Sequence, residues 1–143
     1  MIITFCGHSD FIRKDEYEQR ILDILEKETG DSGAEIYLGE YGAFDSFAYE
    51  CSKKFQQTHK NVSLVFITPY LLGIANDKKA RYDNIIYPEL ERVPKRYAIL
   101  KRNEYMIEKA DVVIAFVNRN YGGAYKSYNY AKRKNKKLYN LAN

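Results

Sequence analysis

Residues 112–134 read VVIAFVNRNYGGAYKSYNYAKRK, and this stretch decides the fold class. Val112 to Val117 is a continuous apolar run of the kind buried on both faces of a parallel sheet, and Gly122-Gly123 follows as a turn. From about Ala124 to Lys134 the residues Ala124, Tyr128 and Ala131 recur at helical spacing. A strand, a glycine turn and a helix in that order make half of a βαβ unit. Beyond it, Lys137 to Leu141 is a last short strand; before it, Ala98 to Ala110 is helical through Ile99, Asn103, Met106, Ile107 and Ala110, with Asp111 at the entry to the strand. The amino-terminal half repeats the alternation. Met1 to Cys6 is a strand closed by Gly7, and about Lys14 to Glu28 is a helix stopped by Gly30. Glu35 to Leu38 is a short strand ending at Gly39, and Phe44, Phe47, Ala48, Cys51 and Phe55 mark the helix after it. Val62 to Thr68 is a core strand that Pro69 ends by removing a backbone donor. The pattern predicts an α/β domain over 1–143 with a mostly parallel sheet of about five strands. Only Leu71 to Tyr97 resists, because charged residues interrupt Tyr82, Ile85, Ile86 and Tyr87; it reads as an excursion over the sheet, with room for a short helix, placed to lid a pocket.

Composition bounds the rest. The 143 residues are 45% hydrophobic and 29% charged, in the range of one globular domain rather than a disordered or fibrous chain. No apolar run approaches the roughly 20 residues that cross a bilayer, and Met1 to Cys6 is too short for a signal peptide, so a cytoplasmic chain with no membrane partner is expected. Cys6 and Cys51 read as free, buried, small hydrophobes. The net charge of +4 is uneven: after Asp111 there is no acid, and residues 112–143 carry seven basic side chains. Such an end suits phosphate or nucleic acid, and equally a helix with a solvated lysine face.

Three predicted strand ends carry small residues that let a ligand approach the backbone: Gly7-His8-Ser9-Asp10, Gly39-Glu40-Tyr41-Gly42 and Gly122-Gly123. In a parallel sheet all three share the carboxyl edge, where each following helix aims free N–H groups and its positive dipole end. Arg102 is the first candidate to hold an anion there, with Lys126 and Ser127 in the opening turns of the last helix beside it; Asp45 is a candidate acceptor for ribose hydroxyls, and His8 a candidate partner for a base or ribose. Each has an ordinary alternative: an exposed Arg102 or Lys126, a Ser127 that only caps its turn, an Asp45 that only complements a helix dipole, a surface His8. Tyr41, Tyr70, Tyr121 and Tyr125 fall near strand ends, where a ring can stack on a base. No metal-ligand spacing and no nucleophile setting stands out, so no metal, cofactor or hydrolase triad is expected.

Gly42-Ala43-Phe44-Asp45-Ser46-Phe47-Ala48-Tyr49 resembles the glycine, aspartate and alanine pattern that opens the second helix in the SLOG superfamily, which joins DprA/Smf DNA-processing proteins and LOG phosphoribohydrolases. Arg102-Asn103, Met106, Ala110-Asp111-Val112-Val113-Ile114-Ala115 and Gly122-Gly123 resemble its later block in the same order. The resemblance implies a Rossmann-like three-layer sandwich whose glycine turns (Gly7, Gly39, Gly42, Gly122 and Gly123) bind a nucleotide or nucleotide-derived molecule. Against the LOG signature P-G-G-x-G-T-x-x-E the chain departs at Tyr121, Tyr125, Lys126 and Asn129. Asn129 stands where the glutamate is expected, and an amide neither takes nor gives a proton at neutral pH. Glu40, Asp45 and Glu50 are the carboxylates available to replace it. The leading expectation is therefore a nucleotide-binding sensor, carrier or sequestering module. A LOG-like N-glycosidase and a DprA-like single-stranded nucleic-acid binder are the alternatives, the latter weakened by the short chain, and self-association is left open.

Overall fold

A computed structural model describes residues 1–143. Six strands form one all-parallel sheet in the order β4-β3-β2-β1-β5-β6. They are β1 (Ile2–Gly7), β2 (Ala34–Leu38), β3 (Val62–Ile67), β4 (Asn84–Ile86), β5 (Val112–Phe116) and β6 (Lys137–Asn140). Between them run α1 (Asp15–Thr29), α2 (Ala43–Thr58), the short α3 (Asn76–Arg81), α4 (Ala98–Lys109) and α5 (Gly123–Arg133). The chain steps outward from β1 to β4, then crosses back to lay β5 against the other side of β1. The pairing joins Ile3 to Val112 and Gly7 to Phe116. The order reverses between β1 and β5, the topological switch point at which open α/β sheets bind their ligands.

Alternation along the strands sorts the core into two faces. Ile3, Phe5, Ile36, Leu64 and Ile114 turn toward α1 and α2, where they meet Ile21, Leu25, Phe44, Phe47 and Phe55. Cys6, Val113 and Ala115 turn to the other face and pack with Ile107 of α4 and Ala131 of α5. Tyr37, Val65 and Ile67 meet Met106 of α4 on the same side. The three-layer α/β architecture is the one expected, with one strand more. That strand, β4, lies in the illegible segment 71–97, together with α3 and a 3-10 turn at Lys95–Tyr97. No helix is long and apolar enough to cross a membrane.

Candidate functional site

Directly above the β1/β5 switch point is a cleft of about 550 Å³. Its floor is the end of β1 with the loop Gly7-His8-Ser9, one wall is α4, and the other is the amino-terminal turn of α5. Gly7 leaves room for the floor to form: a Cβ there would lie 2.3 Å from the Phe44 ring. Gly122 caps α5 at φ 91° with no side-chain hydrogen bond to the helix, so the opening N–H groups at Gly123 and Ala124 face the cleft without a capping acceptor. Lys126 and buried Ser127 stand on the same turn and line the same space.

Of the residues singled out in the sequence, Gly7, His8, Tyr41, Asp45, Gly122, Gly123, Lys126 and Ser127 line this cleft together. Gly42 does not line it; at φ 93° it caps α2 and packs against Ser9. Gly39 and Arg102 line a separate hollow of about 150 Å³ beside it. Arg102 departs from expectation most. It is 1% exposed, and its Nη1 donates to the Gly39 and Ile67 carbonyls, each at 2.8 Å. The guanidinium thus ties the ends of β2 and β3 together instead of standing in the cleft. Gly39 has no side chain because a Cβ there would lie 3.0 Å from Arg102 Cζ. Glu40, at φ 53°, turns its carboxylate to Arg81 (3.0 Å) and Lys78 (3.6 Å) of α3, and Glu50 pairs with Arg13 on the surface. Asn129 does not line the cleft either. Asp45 is the one carboxylate that does.

Arg119 lines the cleft but carried little signal in the sequence; it forms a bidentate pair with Asp10 at 3.0 Å that straps the β1 loop to the β5 loop. His8 bridges the same two loops: its Nε2 accepts from the Asn118 backbone N–H at 3.1 Å. Burial, with the Arg119 charge assisting, holds His8 below its ordinary pKa, so the ring is neutral and Nδ1 carries the proton. Ile99, Leu100, Asn103, Met106 and Ile107 of α4 follow from helical spacing once the helix is placed, but nothing local shows that this face meets a cavity.

No family model and no curated protein matches the sequence. Solved structures do match. The chain is similar to DNA processing protein A from Helicobacter pylori, described for its single-stranded DNA binding mode, at a TM-score of 0.64 and 20% identity over 96% of this chain. The likeness is one of fold, a three-layer α/β sandwich on an all-parallel sheet. The chain spans 63% of the DNA processing protein A chain. It is also similar to the structural-genomics target TM1055, at a TM-score of 0.58 and 15% identity over 96% of this chain and 71% of that one.

Within this fold the electrostatics of the cleft are mixed. Arg96, Arg119 and Lys126 bring positive charge to the mouth, whereas Asp45 faces inward from the first turn of α2. Burial raises the Asp45 carboxyl to about 6, against the Tyr41 N–H bond and the Arg102 charge, both of which favour the ionised form. Cys6 lines the floor as a neutral thiol, pushed up to about 12 chiefly by burial. Five of the seven late basic residues are elsewhere: Lys132, Arg133 and Lys134 close the far end of α5, and Lys136 and Lys137 precede and open β6. There Lys137 holds Glu28 and Lys134 holds Glu108. The charge asymmetry along the sequence is not an asymmetry focused on the cleft.

Proposed function

We propose that the chain binds a nucleotide or a nucleotide-derived small molecule in the β1/β5 cleft, as a sensor, carrier or sequestering module. The observation that carries the reading is one cavity, at the switch point, with two unlike walls. On the α5 side are uncapped helix N–H groups, Lys126 and buried Ser127, a cradle for a phosphate. On the α4 side Ile99, Leu100, Met106 and Ile107 offer an apolar wall for a flat ring, with Tyr97 at its edge. A thermal-shift series with nucleoside mono-, di- and triphosphates, cyclic nucleotides and free nucleosides tests it. A native-state ligand at 100 times its Kd stabilises by about 2.7 kcal/mol. Stabilisation by phosphorylated nucleosides is expected, and no response to any of them counts against the reading.

Cleavage of an N-glycosidic bond is the weaker proposal, since Asn129 lies off the cleft and Asp45 is the only carboxylate to replace the missing glutamate. A second reading, binding of single-stranded nucleic acid, is favoured by one observation besides the DNA processing protein A likeness. Tyr41, Tyr97 and Tyr121 are 57%, 45% and 64% exposed on the carboxyl edge, interleaved with Arg96, Arg119 and Lys126. Aromatic rings among basic side chains suit stacked bases and a phosphate track. An oligothymidylate whose affinity falls steeply with salt and exceeds that of thymidine monophosphate would favour this reading over the first.

A further inference from the structure

The face that α4 turns to the cleft consists of four apolar side chains, Ile99, Leu100, Met106 and Ile107, around a single amide, Asn103. A polar group set into an apolar wall must have its hydrogen bonds accounted for. Arg102 Nε lies 3.0 Å from Asn103 Oδ1, and a guanidinium nitrogen can only donate, so the oxygen of the amide is the atom turned to Arg102. The Nδ2 group is thereby left as a donor with no acceptor in the chain. Asp45 is the counterpart. Its Oδ2 accepts from the Tyr41 N–H at 2.8 Å, which leaves Oδ1 as an unused acceptor in the same cleft. Arg102 supports both groups, by its bond to Asn103 and by the charge it places near Asp45. It is a positioning residue.

We propose that Asn103 Nδ2 and Asp45 Oδ1 act as a donor and acceptor pair that reads the hydrogen-bonding edge of a heterocyclic base, so that the cleft selects among nucleotides rather than accepting any phosphate ester. The inference rests on the nucleotide reading above and adds the group that discriminates. Bases with a 6-amino or 4-amino group present a ring-nitrogen acceptor beside an amine donor; their oxo counterparts present a ring N–H donor beside a carbonyl acceptor. AMP and IMP, and likewise CMP and UMP, have nearly the same shape with opposite polarity at these two positions. A pair of fixed donor and acceptor separates them, while a phosphate cradle and an apolar wall do not.

The test measures Kd by calorimetry for AMP, IMP, CMP, UMP and ribose 5-phosphate, on the wild type, Asn103→Asp, Asp45→Asn and the double exchange. Each substitution keeps the bond that holds the side chain in place and changes only the free atom: the carboxylate introduced by Asn103→Asp still accepts from Arg102, and the amide oxygen introduced by Asp45→Asn still accepts from the Tyr41 N–H. Changes in net charge affect all the phosphates alike and cancel in the ratio within a pair. The wild type should separate the members of at least one pair by about tenfold. Each single exchange should bring that ratio within about twofold, and the double exchange should invert it. Wild-type binding of all four nucleotides without separation overturns the inference, as does a separation that survives both single exchanges; either result leaves the nucleotide reading standing. No binding of any probe, ribose 5-phosphate included, overturns that reading and the inference with it.

Discussion

Beneath α1 and α2 the sheet buries 21 side chains in one continuous cluster, whereas beneath α4 and α5 the buried apolar side chains fall into separate clusters of seven and four. The residue types explain the contrast. The first face is filled by Phe5, Phe11, Phe44, Phe47 and Phe55; the rings of the first four are linked in contact, and Phe11 alone packs against Tyr17, Phe44, Phe47 and Phe116. The second is built from smaller side chains, Cys6, Ala110, Ala115 and Ala131 beside Ile107, Val113 and Val117. The aromatic face carries the larger share of the packing, and the cleft opens beside the other. Loss of a buried aromatic side chain should therefore cost more stability than any substitution around the cleft.

The largest expected effect breaks the comparison if it fails. Phe44 is fully buried against Phe5 and Phe11, and Phe44→Ala should cost about 3–5 kcal/mol in urea unfolding; a cost below about 1 kcal/mol would mean that the two faces share the load. Next comes Arg102→Met, which strands the Gly39 and Ile67 carbonyls and should cost about 2–3 kcal/mol by the same measurement. Asp45→Asn should act in the other direction. A carboxyl whose folded pKa is raised from 3.8 to about 6 is easier to protonate in the folded state, so ionising it costs stability as pH rises from about 4 to 6. The variant should exceed the wild type by on the order of 1 kcal/mol at pH 7, and the gap should close below pH 4. The smallest change in stability is expected for Gly123→Val. A Cβ there meets open space, so stability should move by less than about 0.5 kcal/mol while affinity for AMP falls about tenfold. Unchanged affinity would detach the α5 turn from the site.

The same contrast governs how much can be read from the chain itself. Strands β1, β3 and β5 are long apolar runs buried on both faces, and α1, α2, α4 and α5 each carry a stripe at helical spacing, so local pattern and tertiary packing agree. Strand β4 lacks that agreement. It has three residues, none fully buried, and is held by contacts from outside its own segment: Asp83 Oδ2 accepts from Leu64 N–H at 2.8 Å, and the Ile86 carbonyl accepts from Thr68 N–H. Helix α3 buries nothing and so leaves no stripe to find. At the carboxyl edge the glycine turns are legible because backbone approach demands glycine. The place of Arg102 is not, because its partners lie 63 and 35 residues away and no neighbouring residue marks them. Asn103 is visible as a polar residue in an apolar stripe, but only the bond to Arg102 shows which of its atoms is free.

The position of β1 has a consequence for biosynthesis. This strand is made before the other five and lies inside the sheet, yet its partner on one side, β5, begins 109 residues after Ile3 at Val112. At the usual ribosomal rate of about 5–20 residues per second, one edge of β1 waits about 5–20 s for a partner. During that interval β1 to β4 with α1 and α2 can assemble most of the aromatic face, while the opposite face has no α5 to cover it and the cleft has no second wall. The cleft thus gains its second wall only once α5 has been made, so a ligand can reward the assembled sheet but cannot guide the strands that form before it.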